Sequence, residues 1–180
     1  AVLKLLQGHR NALGGEDRVF IHTMSTWNDK YDKSGNYLAP PQYRQVLLNS
    51  LFTVAPPGHN PESFRLWEAM ECGSIPILTT GVMGKCGVYN RMYTVPAGGI
   101  ECPIVVVPDA PDVVEFLMKA KNNLTYWYGQ QQLLMRWYTA YKQEVYGNAL
   151  KKIVVRNRAR EVRENPNATS VSSGSKKKKP

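Results

Sequence analysis

Three near-continuous apolar runs, "LFTVA" (51–55), "IPIL" (75–78) and "IVVV" (104–107), limit what this chain can fold into. None shows the residue-by-residue alternation of a strand with one wet face, so each belongs to a sheet covered on both sides. Between and after them come stretches with apolar residues at helical spacing. "PQYRQVLLNS" places Tyr43, Val46 and Leu47 on one face, and "DAPDVVEFLMKAKNN" does the same with Val113, Val114, Leu117 and Met118. Strands alternating with helices of about ten residues predict an α/β body, a Rossmann-like parallel sheet with helices on both faces. "RVFIHTM" (18–24) reads as a further strand, which makes about four. The chain opens on "AVLKLLQGHR", the end of an amphipathic helix, so the first strand of the sheet is expected upstream of Ala1. From residue 125 to about 160 the pattern predicts two helices or one kinked helix, interrupted at Gly129 and Gly147.

The 180 residues suffice for one domain, placed at 1–160, followed by a disordered tail at 161–180 that is Ser-rich and ends in four lysines. The net charge of +9 is carried unevenly. Residues 1–150 hold 13 Lys/Arg against 12 Asp/Glu, whereas 151–180 hold 10 against 2. A positive footprint on the folded body, the electrostatic mark of a nucleic-acid-binding domain, is missing, and nucleic acid is not expected as a partner. Cys72, Cys86 and Cys102 form no C-x-x-C pair and no dense framework. The triplets Asn123-Leu-Thr125 and Asn167-Ala-Thr169 are acceptors for N-glycosylation in a secretory compartment. No apolar run reaches the 18 residues or so that a membrane span needs.

The densest cluster of structural signals is "PPGHNPESFRLWEAMECGSIPIL" (56–78), which follows the first of the three runs. In an open parallel sheet, ligands sit beyond the carboxyl ends of the strands, where loops enter the next helix. Pro56-Pro57-Gly58 makes a stiff turn with one residue that lets a ligand approach the backbone. Asn60 suits an N-cap and Pro61 a first helical position, so a helix is predicted to start near Asn60. Its free N–H groups would offer an anion site. Arg65 and Glu68 fall on one face of that helix: a cation placed to clamp a diphosphate, and one turn deeper a carboxylate with two acceptor oxygens for a sugar diol. Leu66 and Met70, with Phe64 and Trp67, are assigned to the packing layers, and Gly73 stops the helix. The spacing by itself also fits an exposed i,i+3 ion pair on an ordinary capped helix.

The same residues, "FTVAPPGHNPESFRLWEAMECGSIPIL", with P-x-G, then R-x-x-E-A, then G-x-I-P-I, resemble the nucleotide-sugar-binding corner of exostosin-type glycosyltransferases. The likeness extends over roughly 100 residues and is weaker between Tyr89 and Ile104. It implies the C-terminal, donor-binding half of a GT-B fold. It further implies a UDP-sugar diphosphate held by Gly58, His59, Asn60, Ser63 and Arg65, and ribose or sugar hydroxyls held by Glu68. No cofactor or metal is required in such enzymes, and neither "NDKYD" nor "PDAPD" is the D-x-D of metal-dependent ones. The implied reaction moves a sugar from UDP to a hydroxyl of a glycan or glycoprotein acceptor. The general base is expected on the N-terminal domain, outside this chain, which would leave the isolated fragment inactive. His22 is the further residue considered for donor contact. Location in the Golgi or endoplasmic reticulum lumen, anchored by an upstream membrane segment, is implied as well. The alternative is a module of the same fold that binds glycan or protein without catalysis. Trp137, Tyr138 and Tyr141 are assigned to packing rather than to a stacking platform, and the basic run from Lys151 to Arg163 to a solvated helix face.

Overall fold

A computed structural model of the chain describes residues 2–22, 38–56, 63–79 and 96–164, with side chains described to residue 156. It divides into two compact units, Ala1–Thr139 and Ala140–Pro180. In chain order the elements are α1 (Val2–His9), α2 (Pro40–Leu48), β1 (Phe52–Val54), α3 (Phe64–Glu71), β2 (Ile75–Thr79), β3 (Val105–Val107), α4 (Ala110–Ala120) and α5 (Leu124–Glu164). The predicted α/β class is correct: the three strands form one parallel sheet in the order β1-β2-β3. Among the described residues, no helix is long and apolar enough to cross a membrane.

β2 lies at the centre, and all five of its residues are buried. Its register pairs Phe52 with Ile75 and Val54 with Ile77 on one side, and Ile77 with Val105 and Thr79 with Val107 on the other. Side chains alternate along each strand, so Phe52, Val54, Ile77, Val105 and Val107 share one face of the sheet. On that face they pack with Leu6 of α1, with Leu13, and with Val113 and Val114 of α4. Leu66, Ala69 and Met70 of α3 are buried outside this cluster, and α3 packs against β2 from the other side. Burying each large side chain in these layers contributes on the order of 1.5–3 kcal/mol. Phe52, Phe116 and Trp127 meet pairwise edge-on at 5.1–5.3 Å, a geometry that aromatic quadrupoles favour.

Local signals set most helix ends. Pro40 and Pro41 open α2, where the amide hydrogens have no partner within the helix, and the Gln42 side chain accepts the Ala39 N–H at 3.0 Å. At α4 the Asp112 carboxylate accepts the Asp109 N–H at 2.9 Å, with Pro111 in the first turn. The Asn123 amide oxygen accepts the Tyr126 N–H at 3.4 Å, so the first of the two N-glycosylation triplets also caps α5. α3 ends in a Schellman turn: Gly73 donates to Met70 and Ser74 to Ala69, with Gly73 at φ +76°.

Four expectations are corrected. Residues 19–22 form no strand; the Val19 N–H turns back to Gly15 at 3.0 Å, while Val19 and Ile21 pack against the core. The rest of that run lies outside the described residues, as does 165–180. Gly129 and Gly147 do not interrupt α5, because a cost of about 1 kcal/mol at each is small against the many bonds of a 41-residue helix. α3 begins at Phe64 rather than near Asn60, because Ser63 is extended at φ −93° and ψ 145°. Phe64, in the first turn, is 86% exposed and does not join a packing layer. The assignment of Trp137 to the core holds, since it is fully buried.

Gly73 generates a stability prediction. A Cβ there would sit 3.3 Å from Met135 Cγ and Sδ on a backbone conformation that L-residues disfavour. Gly73→Ala is expected to cost about 1–2 kcal/mol in chemical denaturation. An unchanged midpoint would show that the turn tolerates a side chain.

Candidate functional site

The carboxyl end of β1 leads through Ala55 and Pro56 towards α3, whose first turn therefore lies at the ligand edge of the sheet. Ser63 occupies the N-cap position without a side-chain capping bond, and its carbonyl accepts the Leu66 N–H at 3.0 Å. Gly58, His59 and Asn60, the loop residues expected to cradle a diphosphate, lie outside the described residues. Arg65 falls in the first turn of α3 and Glu68 one turn later, both exposed, on the face opposite to buried Leu66 and Met70.

A third residue completes this group. Tyr43 lies on α2, four residues before buried Leu47 and on the same face, so its ring is half-buried. A tyrosine in that position needs a partner for its hydroxyl. It donates to Glu68 Oε2 at 3.0 Å, and the Arg65 charge acts on the same hydroxyl. Burial first, and then the neighbouring Glu68 charge, push the Tyr43 hydroxyl from 10.0 up to about 12, with Arg65 pulling the other way. Tyr43 is therefore a neutral donor throughout the physiological range. Ion pairs among the described residues include Arg10 with Glu16 at 2.7 Å and Lys119 with Glu115 at 2.5 Å. Arg65 and Glu68 do not pair directly, so the surface salt bridge that spacing alone allowed is not formed.

Tyr43 was missed by sequence reasoning because it counted as an apolar member of a helical stripe. The signal was present in the hydroxyl, which cannot be buried at an α2–α3 contact without an acceptor. His22 stands elsewhere: its Nε2 is buried without a hydrogen-bond partner, and its ring stacks on Phe20 at 6.2 Å. No bond from that atom ties it to Tyr43, Arg65 or Glu68. Burial raises the Cys72 thiol above its ordinary value, opposed by nearby Arg44, and raises Cys102 to about 12. Both are thiols rather than thiolates at neutral pH. Among the described residues, no group of three His, Cys, Asp or Glu side chains is arranged to hold a metal ion.

Comparison with known proteins places the chain in a family. Residues 3–157 match the family model described as the RXYLT1 C-terminal domain. Similar proteins are the ribitol-5-phosphate xylosyltransferases 1 of Mus musculus and Homo sapiens, each 28% identical over 108 residues that cover 57% of this chain and 24% of the relative. That of Danio rerio is 26% identical over 106 residues, covering 58% and 24%. The matched segment thus spans about a quarter of the length of these curated relatives. No solved structure matches the chain.

The raised Tyr43 value sets a pH dependence. The folded state holds this proton more tightly than the unfolded chain does. Its contribution is therefore complete below about pH 10 and is lost as the pH rises towards about 12. Denaturation across that range is expected to show wild type losing stability relative to Tyr43→Phe. Parallel curves would show that the hydroxyl is not held as described.

Proposed function

The chain belongs to the RXYLT1 C-terminal domain family, and from that premise we propose that it is the donor-binding domain of a glycosyltransferase that moves a sugar from a UDP-sugar to an acceptor hydroxyl. Support comes from the names of the relatives, which are xylosyltransferases, and from the Tyr43, Arg65 and Glu68 group at the carboxyl end of β1. That group is the observation that carries the proposal: a cation and a hydroxyl-accepting carboxylate, one helical turn apart, at the edge where parallel sheets bind ligands.

In this reading the diphosphate lies against the first turn of α3. The free N–H groups beyond Ser63, the preceding loop at Gly58, His59 and Asn60, and the Arg65 guanidinium hold its oxygens. As the bond between sugar and diphosphate breaks, negative charge grows on the departing oxygen. Arg65 is placed to stabilise that charge more strongly in the transition state than in the bound donor. Glu68 accepts hydroxyls of the ribose, the part common to any nucleotide donor whichever sugar it carries. The base that takes the proton from the acceptor belongs to a part of the enzyme outside this chain, as does the surface that selects a glycan or glycoprotein acceptor. The two N-glycosylation triplets support a home in the Golgi or endoplasmic reticulum lumen.

Calorimetric titration of the chain with UDP tests this reading. Wild type is expected to bind, and Arg65→Ala and Glu68→Ala are each expected to weaken binding tenfold or more, the scale of a lost charge-assisted hydrogen bond. Unchanged affinity in both variants would sink it.

A further inference from the structure

An arginine and a glutamate three residues apart on an exposed helix face are within reach of each other, and their mutual attraction competes with any ligand for both. In this chain the two do not close into an ion pair. The Tyr43 hydroxyl, reaching across from α2, gives its proton to Glu68 Oε2 at 3.0 Å instead, with the Arg65 charge acting on the same hydroxyl. Its ring is anchored on the face of α2 that carries buried Leu47, whereas the arginine and glutamate side chains are exposed and long. The rigid member of the trio is the tyrosine.

We infer that Tyr43 is a positioning residue of the donor site: by holding Glu68 Oε2 it prevents the collapse of Arg65 and Glu68 into a self-satisfied ion pair, and so keeps the guanidinium available to an anionic diphosphate and Glu68 Oε1 available to a hydroxyl. The inference rests on the donor-binding reading above and deepens it. A single hydroxyl can do this because it is both donor and acceptor. It satisfies one oxygen of the carboxylate without neutralising its charge, and its own oxygen offers the guanidinium a neutral acceptor rather than a charged one. A second cation in place of the tyrosine would repel Arg65, and a second carboxylate would capture it. With Oε2 engaged, Glu68 meets its ligand through one oxygen rather than two.

The experiment uses inorganic diphosphate and UDP as probes, titrated calorimetrically into wild type, Tyr43→Phe, Glu68→Gln and the double variant. Phenylalanine keeps the ring and its packing, and thermal melting confirms that each variant is folded. Tyr43→Phe is expected to weaken diphosphate binding about fivefold, the order of one hydrogen bond, because Arg65 turns to Glu68. The double variant Tyr43→Phe/Glu68→Gln is expected to recover wild-type diphosphate affinity, because glutamine gives Arg65 no charge to pair with. A merely structural loss at Tyr43 would not be repaired by a change at Glu68. Equal diphosphate affinity in wild type and Tyr43→Phe, or a loss that persists in the double variant, would overturn the inference while UDP binding by wild type leaves the donor reading intact. Failure of wild type to bind either probe would overturn both.

Discussion

The complete burial of β2 is the constraint on which the remainder of the structured body depends. A five-residue strand with no exposed position must be covered on both faces, and it can be central only if a parallel neighbour lies along each edge. These demands fix the rest. One face takes α1 and α4, the other takes α3, and β1 and β3 supply the two edges. α3 must turn from helix to strand within three residues, Cys72 to Ser74, to bring β2 in at the right height. The left-handed Gly73 and its two Schellman bonds make that turn. The position of the candidate site follows, because the helix that carries Arg65 and Glu68 is the one locked at its far end to the buried strand.

What could be read in the sequence was whatever is set locally or by period. The apolar runs at 51–55, 75–78 and 104–107 all contain strands, since a run that can be buried on both faces has few other uses. Pro111 and Gly73 stand where helix-end chemistry puts them. The "VFIH" run shows the limit. Val19 and Ile21 pack against the core without pairing into the sheet, and composition alone does not distinguish these two ways of burying a side chain. The start of α3 was misplaced for a related reason. Asn60, Pro61 and Ser63 are all acceptable near a helix N-terminus, and the choice among them is made by the extended backbone at Ser63.

The candidate site divides along the same line. Arg65 and Glu68 were visible because their spacing within one helix is a fixed geometric relation. Tyr43 was not, because its place depends on how α2 packs against α3, and two helices with a strand between them in the chain have no period in common. Apolar patterning hid it further, since tyrosine scores as core at the ring and as polar only at the tip. A long-range hydrogen bond between elements is the kind of feature that a periodic reading of one chain leaves out, even when each residue in it is noticed singly.

The charge distribution explains why such a local arrangement matters. A body with 13 basic against 12 acidic residues in its first 150 positions has little net field with which to attract an anionic donor. In the proposed reading, attraction comes from groups at contact distance, the amides at the start of α3 and the Arg65 guanidinium among them. In that setting an arginine lost to a neighbouring carboxylate is not replaced by a general positive surface. The two helices that hold the trio flank β1 on either side in the chain, α2 before it and α3 after it. The pairing of β1 with β2 that builds the sheet therefore also constrains the segments that carry the tyrosine to the glutamate. Sheet packing and the placing of the tyrosine against the glutamate are two consequences of the same strand register.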